Sequence, residues 1–347
     1  MKICIYGAGA IGGYLAAGLS EVDGVELSLV ARGPHLAAIQ AGGLKLQIDG
    51  QTRLCRPRAT NDPAELGPQD YVIVCLKAHQ AWEAAHRMAP LLGPDTAVVT
   101  GQNGVPWWYT HGLDARFADA RLNSVDADDR QWTAIGPERA IGCVVYPATE
   151  IVEPGVVRHI YGSKFALGEP DGSMSLRCQS LSRVLEAGGF EAPVLKDIRS
   201  EIWLKLWGNL CFNPISALTR ATLDIVATEP SLRTLSMHMM AEAQEVATRF
   251  GATFRVDITR RVDGAARVGA HRTSMLQDLE NGRPLEIDAL LTSVQEMGRL
   301  VSVETPYIDM VLGLVQQLGR SLNIYPPIPG TLAGAGQVAV KAHAVPS

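Results

Sequence analysis

The strongest constraint on the fold sits at the start of the chain. In "MKICIYGAGAIGGYLAAGL" an apolar run leads directly into Gly7-Ala8-Gly9-Ala10-Ile11-Gly12, followed by small apolar residues at helical spacing. G-x-G-x-x-G in that place demands a strand, a tight turn and a helix, the head of a βαβ unit. The first glycine permits the turn, and the second lets a pyrophosphate approach the backbone. The third lets helix and strand pack closely. The helix N-terminus adds free N–H groups and positive potential. These six residues are therefore expected to hold a dinucleotide. S-adenosylmethionine, a flavin or a turn without a ligand are the other readings of the same glycines.

The next segments repeat the type. "VELSLVAR" (25–32), "PQDYVIVCLKA" (68–78) and "DTAVVTGQNG" (95–104) read as further strands. Alternation of β and α segments with continuous apolar strands indicates a parallel sheet covered by helices. An acid at the end of the second strand would hold the ribose 2′-OH of NAD, and an arginine there accommodates the 2′-phosphate of NADP. Here the strand ends in Arg32 with no acid beside it, so NADP is expected. A guanidinium capping a surface loop is the plainer alternative.

Residues 140–168 are β-rich, with Pro154-Gly155 as a turn, and are expected to complete the sheet; 175–190 reads as a helix beside it. From about residue 197 the strands stop, and "SEIWLKLWGNLCFNPISALTR", "SLRTLSMHMMAEAQEVATRFG" and "YIDMVLGLVQQLGRSL" are helical in period. The expected fold is α/β: a Rossmann-type parallel-sheet domain over 1–196, then an all-helical domain over 197–330. An irregular tail, 331–347, follows. At 347 residues the chain is long enough for two such domains.

Composition narrows the function classes. A formal net charge of −5 and the absence of a Lys/Arg run give no footprint for nucleic acid. No stretch of 18 apolar residues suggests a membrane span, and no charged leader precedes the first strand, so a cytoplasmic protein is expected. The six cysteines show no CxxC pair and read as reduced and structural. The eight histidines include no HxxH or HExxH spacing, and no metal site is expected; His79 and His271, near candidate site segments, read as non-catalytic.

One helix is unusual. Ile202, Leu206 and Leu210 form an apolar ridge, widened by Trp203 and Trp207, while Lys205, Asn209 and Asn213 form a second i, i+4, i+8 row. Two amides and a lysine among tryptophans are costly to bury unless something polar meets them. Pro214 disfavours helix at Asn213, so a kink or break is expected there.

Three blocks together resemble the ketopantoate reductase family, the 2-dehydropantoate 2-reductases. They are "GAGAIGG" with "LVARG", "WLKLWGNLCFNPISALT", and "TSMLQDLENGRPLEIDAL" (273–290), the last matching almost residue for residue. The resemblance implies reduction of a small 2-keto acid with NADPH on the route to pantothenate. It places Lys205 on the family's general acid and Glu286 on its active-site carboxylate. Asn209, Asn213 and Ser274 fall on substrate-binding positions. Asn103 falls near both cofactor and substrate, and Lys77 on a strand-end lysine facing the cofactor. Plainer readings stand beside these: a solvated helical lysine at 205, a helix residue near Arg283 for Glu286, an N-cap for Ser274, and loop residues for Lys77 and Asn103.

Lysine suits the chemistry because negative charge builds on the carbonyl oxygen as hydride arrives. A cation that can release a proton both stabilises that charge and quenches it.

Residues 103–132 depart from the family pattern, with Trp107 and Trp108 soon after Asn103. They read either as an aromatic wall reshaping the pocket or as a loop packed on its own domain. "ALLTSVQEMG" after Asp288 departs as well. These differences leave the reaction type in place and the keto acid open, with ketopantoate first. A related hydroxyacid dehydrogenase and a non-catalytic NADP-binding sensor are the rival readings. The amphipathic helical faces leave room for a homodimer.

Overall fold

The computed structural model describes residues 1–117 and 120–325. The tail expected over 331–347, and residues 326–330 before it, lie outside the described residues. The chain opens with β1 (Lys2–Tyr6), α1 (Ala10–Leu19), β2 (Glu26–Val30) and α2 (Gly33–Gly42), then β3 (Leu44–Ile48), β4 (Gln51–Cys55) and β5 (Arg58–Thr60). Next come β6 (Gln69–Val74), α3 (Ala78–Ala84), β7 (Leu92–Thr100), α4 (Arg130–Ile135) and β8 (Ala140–Val145). The hairpin β9 (Ala148–Glu153) and β10 (Val156–Tyr161) precedes β11 (Phe165–Gly168) and α5 (Leu176–Ala187).

The main sheet has seven strands in the order β11-β8-β7-β6-β1-β2-β5, all parallel neighbours except the antiparallel β11–β8 pair. Residues along β1 alternate between its faces. Ile3 and Ile5 join the core under α1 and α5, while Cys4 and Tyr6 join a cluster that continues into the helical half.

The expectation that 140–168 completes this sheet holds for β8 and β11 only. β9 and β10 leave it and pair with β3 and β4 in a second sheet, β4-β3-β10-β9. Pro147, two residues past the end of β8, has no N–H to continue the ladder. The second sheet rests on α1, where a Cβ on Gly13 would come within 2.7 Å of Val157 Cγ2.

Beyond residue 197 every described element is helical: α6 (Ile198–Thr219), α7 (Leu223–Thr228), α8 (Pro230–Arg249), α9 (Ile258–Ala266), α10 (Ser274–Glu280), a π-turn over Asp288–Thr292, α11 (Ser293–Leu300) and α12 (Pro306–Ser321). α6 packs against α8, α10 and α12 and also against β8 and β11.

The break expected at Asn213 is absent. α6 runs for 22 residues through Pro214, with Phe212, Asn213, Pro214 and Ile215 all buried. A mid-helix proline costs about 3 kcal/mol, and burial of both flanks of the helix offsets it.

Trp107 and Trp108 are core residues and form no aromatic wall. Trp108 is fully buried, donates to Thr100 Oγ1 (2.9 Å) and covers Gly142 of β8. Trp107 packs edge-on against Trp132 at 6.2 Å. The space left between Asn103, Trp108, Cys143 and Ile202 is about 10 Å³, at the lower limit for a single water. No helix of the described residues is long and apolar enough to cross a membrane.

Candidate active site

The C-terminal ends of β1, β6 and β7 lie side by side: Cys75 N donates to Tyr6 O and Gly101 N to Val74 O, each at 2.9 Å. β1 is where the strand order turns, with β2 on one side and β6 on the other. Open parallel sheets take ligands at that switch point.

Each glycine of the opening loop has its own job there. Gly7 has φ +107°, and a Cβ on it would meet Leu76 Cδ2 at 2.8 Å. A Cβ on Gly12 would come within 2.1 Å of Gly7 O, so only glycine allows α1 this close to the turn. Gly9 is the N-cap of α1, and a Cβ built on it meets nothing within 4 Å. That open front is the cradle a pyrophosphate would fill. Ala8 is buried, and Ala10 and Ile11 are half-buried in the first turn. Gly7 N donates to Val30 O (3.0 Å), so the loop is tied to the end of β2. Arg32, two residues on, is exposed at the N-cap of α2. These residues fit a dinucleotide.

Lys77, the N-cap of α3 just past β6, points to the helical half. Its Nζ donates to Asp278 Oδ2 and to Pro284 O, each at 2.7 Å. An ammonium has three donors, so one remains uncommitted. Next to it, Ala78 N donates to Glu286 Oε1 (3.3 Å). His79 is pushed down to about 4, by burial and then by the Lys77 charge, and is neutral at pH 7.

The second group centres on α6. Lys205 Nζ donates to Asn103 Oδ1 (2.7 Å) and to the Val145 carbonyl. Two of its three hydrogens are thereby fixed. Burial pulls its pKa down to about 8, against the opposing pull of nearby acidic groups including Glu286. Glu286 is raised above the usual carboxylate range, first by burial; Lys77, the Ala78 N–H and the Asn103 side chain work against that rise.

Asn213, about two turns further along the same row of α6, donates to Ser274 Oγ (3.3 Å). Ser274 is not the cap of α10. Thr273 is, accepting from Leu276 N at 3.3 Å, because it precedes the first helical residue and its hydroxyl reaches back into the first turn. The Ser274 hydroxyl is left facing Asn213. Asn209 lies half-buried between Lys205 and Asn213 in the row.

The structure thus brings Lys205, Asn103 and Glu286 together, sets Asn213 and Ser274 beside one another, and ties Lys77 across to Asp278. His271 belongs to neither group; its ring lies edge-on to Tyr161 at 5.9 Å. Among the described residues no group of three or more His, Cys, Asp or Glu is placed to hold a metal ion. Sequence reasoning missed Asp278 and the Val145 carbonyl. Asp278 stands inside the quoted 273–290 block and offered a signal. A backbone carbonyl offers none.

Comparisons with known proteins give the chain's family. The profile of the ketopantoate reductase PanE/ApbA family matches residues 3–172, and that of the family's C-terminal part matches residues 197–319. A 2-dehydropantoate 2-reductase of Mesorhizobium japonicum is 54% identical over 90% of this chain and 95% of its own. A crystal structure from Ralstonia solanacearum, assigned to the ketopantoate reductases, superposes with a TM-score of 0.88 at 42% identity, covering 93% of this chain and 99% of that one. The 2-dehydropantoate 2-reductase of Geobacter metallireducens superposes with a TM-score of 0.78 at 28% identity, over 92% of this chain and 100% of that one. With both halves matched and in one order, the chain belongs to the ketopantoate reductase family.

Proposed function

We propose that this protein reduces 2-dehydropantoate (ketopantoate) to pantoate with NADPH, a step of pantothenate biosynthesis. The observation that carries the reading is the Lys205 ammonium, fixed by Asn103 and Val145 with one hydrogen uncommitted, beside Glu286 at the nucleotide edge of the sheet. In this reading residues 1–196 hold the nucleotide and the helices of 197–330 supply the substrate groups.

The opening loop, Gly7 to Gly12, takes the pyrophosphate on the N-terminus of α1, and Arg32 grips the 2′-phosphate bidentately. Lys77 adds its third hydrogen at the cleft. NADPH, when bound, supplies the hydride. The substrate carboxylate is met by Ser274 and the amides of Asn209 and Asn213. Its C2 carbonyl oxygen lies against the free hydrogen of Lys205, which stabilises the developing alkoxide and then delivers a proton to it. A lysine held near pKa 8 is mostly protonated at pH 7 yet acidic enough to give its proton up. Asn103 keeps the amine aimed, and Glu286 accepts a hydrogen bond from a substrate hydroxyl or holds the nascent one.

A related hydroxyacid dehydrogenase acting on another keto acid shares this machinery. An NADP-binding sensor does not need it, because a sensor has no use for a proton donor. One assay separates the three: a panel of 2-keto acids run with NADPH and with NADH. Ketopantoate with NADPH should give the highest kcat/KM. Preference for another keto acid would replace the substrate, and tight NADPH binding with no turnover would favour the sensor. The finer parts of the reading are a cytoplasmic location and a homodimer through the helical half. Sedimentation at micromolar concentration tests the latter.

A further inference from the structure

The polar row on α6 begins one turn before Lys205, at Glu201, which is only 2% exposed. Its carboxylate accepts from the Tyr146 hydroxyl (2.6 Å) and from the Arg255 guanidinium, and Lys164 Nζ lies 3.5 Å away. Tyr146 directly follows Val145, the residue whose carbonyl accepts from Lys205. Its N–H donates to Lys164 O (3.0 Å), and its ring centroid lies 6.0 Å from Lys205 Nζ. β7 pairs with β8 only as far as Gly142, so no strand on that side fixes the last peptides of β8.

We infer that Glu201 and Tyr146 are positioning residues for the proton donor. The carboxylate, rigid on α6, pins Tyr146 and so holds the Val145 carbonyl and an aromatic face against the Lys205 ammonium. Both ends of this clamp sit on the same helix, four residues apart, so donor and guide move as one body. A fold-stabilising role alone is a poor explanation for a carboxylate this buried, since an apolar side chain of similar size usually serves stability as well or better. Burial pushes the Glu201 carboxyl up, but the Arg255 and Tyr146 hydrogen bonds outweigh it and keep the group ionised. The inference rests on the reading of Lys205 as general acid, and goes beyond it in naming what aims that acid.

The charged and titratable groups around Lys205 are Glu286 and Cys143, with Tyr146 at its side and Glu201, Lys164 and Arg255 behind. Removing the clamp loosens a carbonyl and a ring that both favour the ammonium, so Lys205 should lose its proton at lower pH.

The test is Tyr146→Phe, which keeps the ring and loses the bond to Glu201, with Glu201→Gln as the conservative partner that keeps an acceptor for Tyr146. Two readouts are taken: the kcat–pH profile with NADPH and ketopantoate, and competitive acetylation of Lys205 against pH, read by peptide mass spectrometry without substrate. In Tyr146→Phe, kcat should fall about tenfold, part of what a positioned acid contributes. NADPH affinity should stay within about twofold, and the Lys205 titration should move to lower pH. Glu201→Gln should recover most of kcat. A Lys205 titration that stays where it is in folded Tyr146→Phe, whatever kcat does, overturns the inference. Wild-type enzyme that titrates as expected but reduces no keto acid would overturn the assigned reaction and leave the clamp standing.

Discussion

Lys205 Nζ and Asn103 Oδ1 meet at 2.7 Å although 102 residues separate them. One comes from the long helix of the second half, the other from the loop that ends β7. The amine is therefore held only where the two halves meet. The same loop is locked a second time, where Val105 N donates to Ala289 O (3.0 Å) in the π-turn that follows Glu286. Asn103 is therefore flanked by the Lys205 amine and the Glu286 carboxylate.

Replacing the amine should separate binding from chemistry. Lys205→Ala is expected to lower kcat by about 10²–10⁴, the usual contribution of a positioned acid. NADPH affinity, read by fluorescence titration, should stay unchanged, because the hydrogen bonds of Lys205 go to Asn103 and Val145 and not to the opening loop. Normal turnover in this variant would remove Lys205 from its role.

The pH dependence has a definite sign. The acid form of Lys205 is the ammonium, and burial brings its pKa to about 8. Keto-acid reduction at saturating NADPH should therefore be flat below that pH and fall above it, approaching tenfold per unit. The reverse oxidation, which needs the neutral amine, should rise over the same interval. A profile for reduction that stays level to pH 10 would contradict the assignment.

Much of this site was legible in the sequence because its parts announce themselves locally. The glycine loop follows from strand, spacing and helix, and the structure gives Gly7 and Gly12 steric reasons while leaving the front of Gly9 open. The row of Lys205, Asn209 and Asn213 is plain from helical spacing. Glu201 extends the same row by one step, and the exposed-looking "SEIWL" context hid a buried carboxylate. What escaped is non-local. β3 and β4 lack a continuous apolar run, and β4 is almost wholly exposed, so their pairing with β9 and β10 has no signature in the pattern. The unbroken α6 is a case of burial overriding a local rule at Pro214. Trp107 and Trp108 read either as a pocket wall or as a loop packed on its own domain, and they are buried in the core together with Val105, Tyr109 and Thr110. Sequence proximity to a site does not give direction.

Cofactor preference should reside in Arg32. It is exposed at the N-cap of α2, its charge acts on Tyr6 at the end of β1 and on His79, and no acid stands at the strand end. Arg32→Ala should raise the KM for NADPH by about tenfold or more, the scale of a lost bidentate phosphate contact, and leave the KM for NADH nearly as it was. Equal losses with both cofactors would show that Arg32 acts on the loop and not on the phosphate.

The two inner glycines should fail in different ways. A Cβ at Gly12 falls 2.1 Å from Gly7 O, a backbone atom that cannot step aside, so Gly12→Ala should lower the thermal midpoint with or without cofactor. At Gly9 the same Cβ meets nothing within 4 Å, and φ is −68°, which alanine adopts freely. Gly9→Ala should therefore fold with an unchanged midpoint, yet lose NADPH affinity because its methyl occupies the space the pyrophosphate needs. Thermal scans with and without NADPH distinguish the cases. Wild type should gain stability from the cofactor, as binding to the folded state alone requires, and Gly9→Ala should gain little. If Gly9→Ala is stabilised by NADPH as fully as wild type, the open front of that loop is not where the phosphates lie.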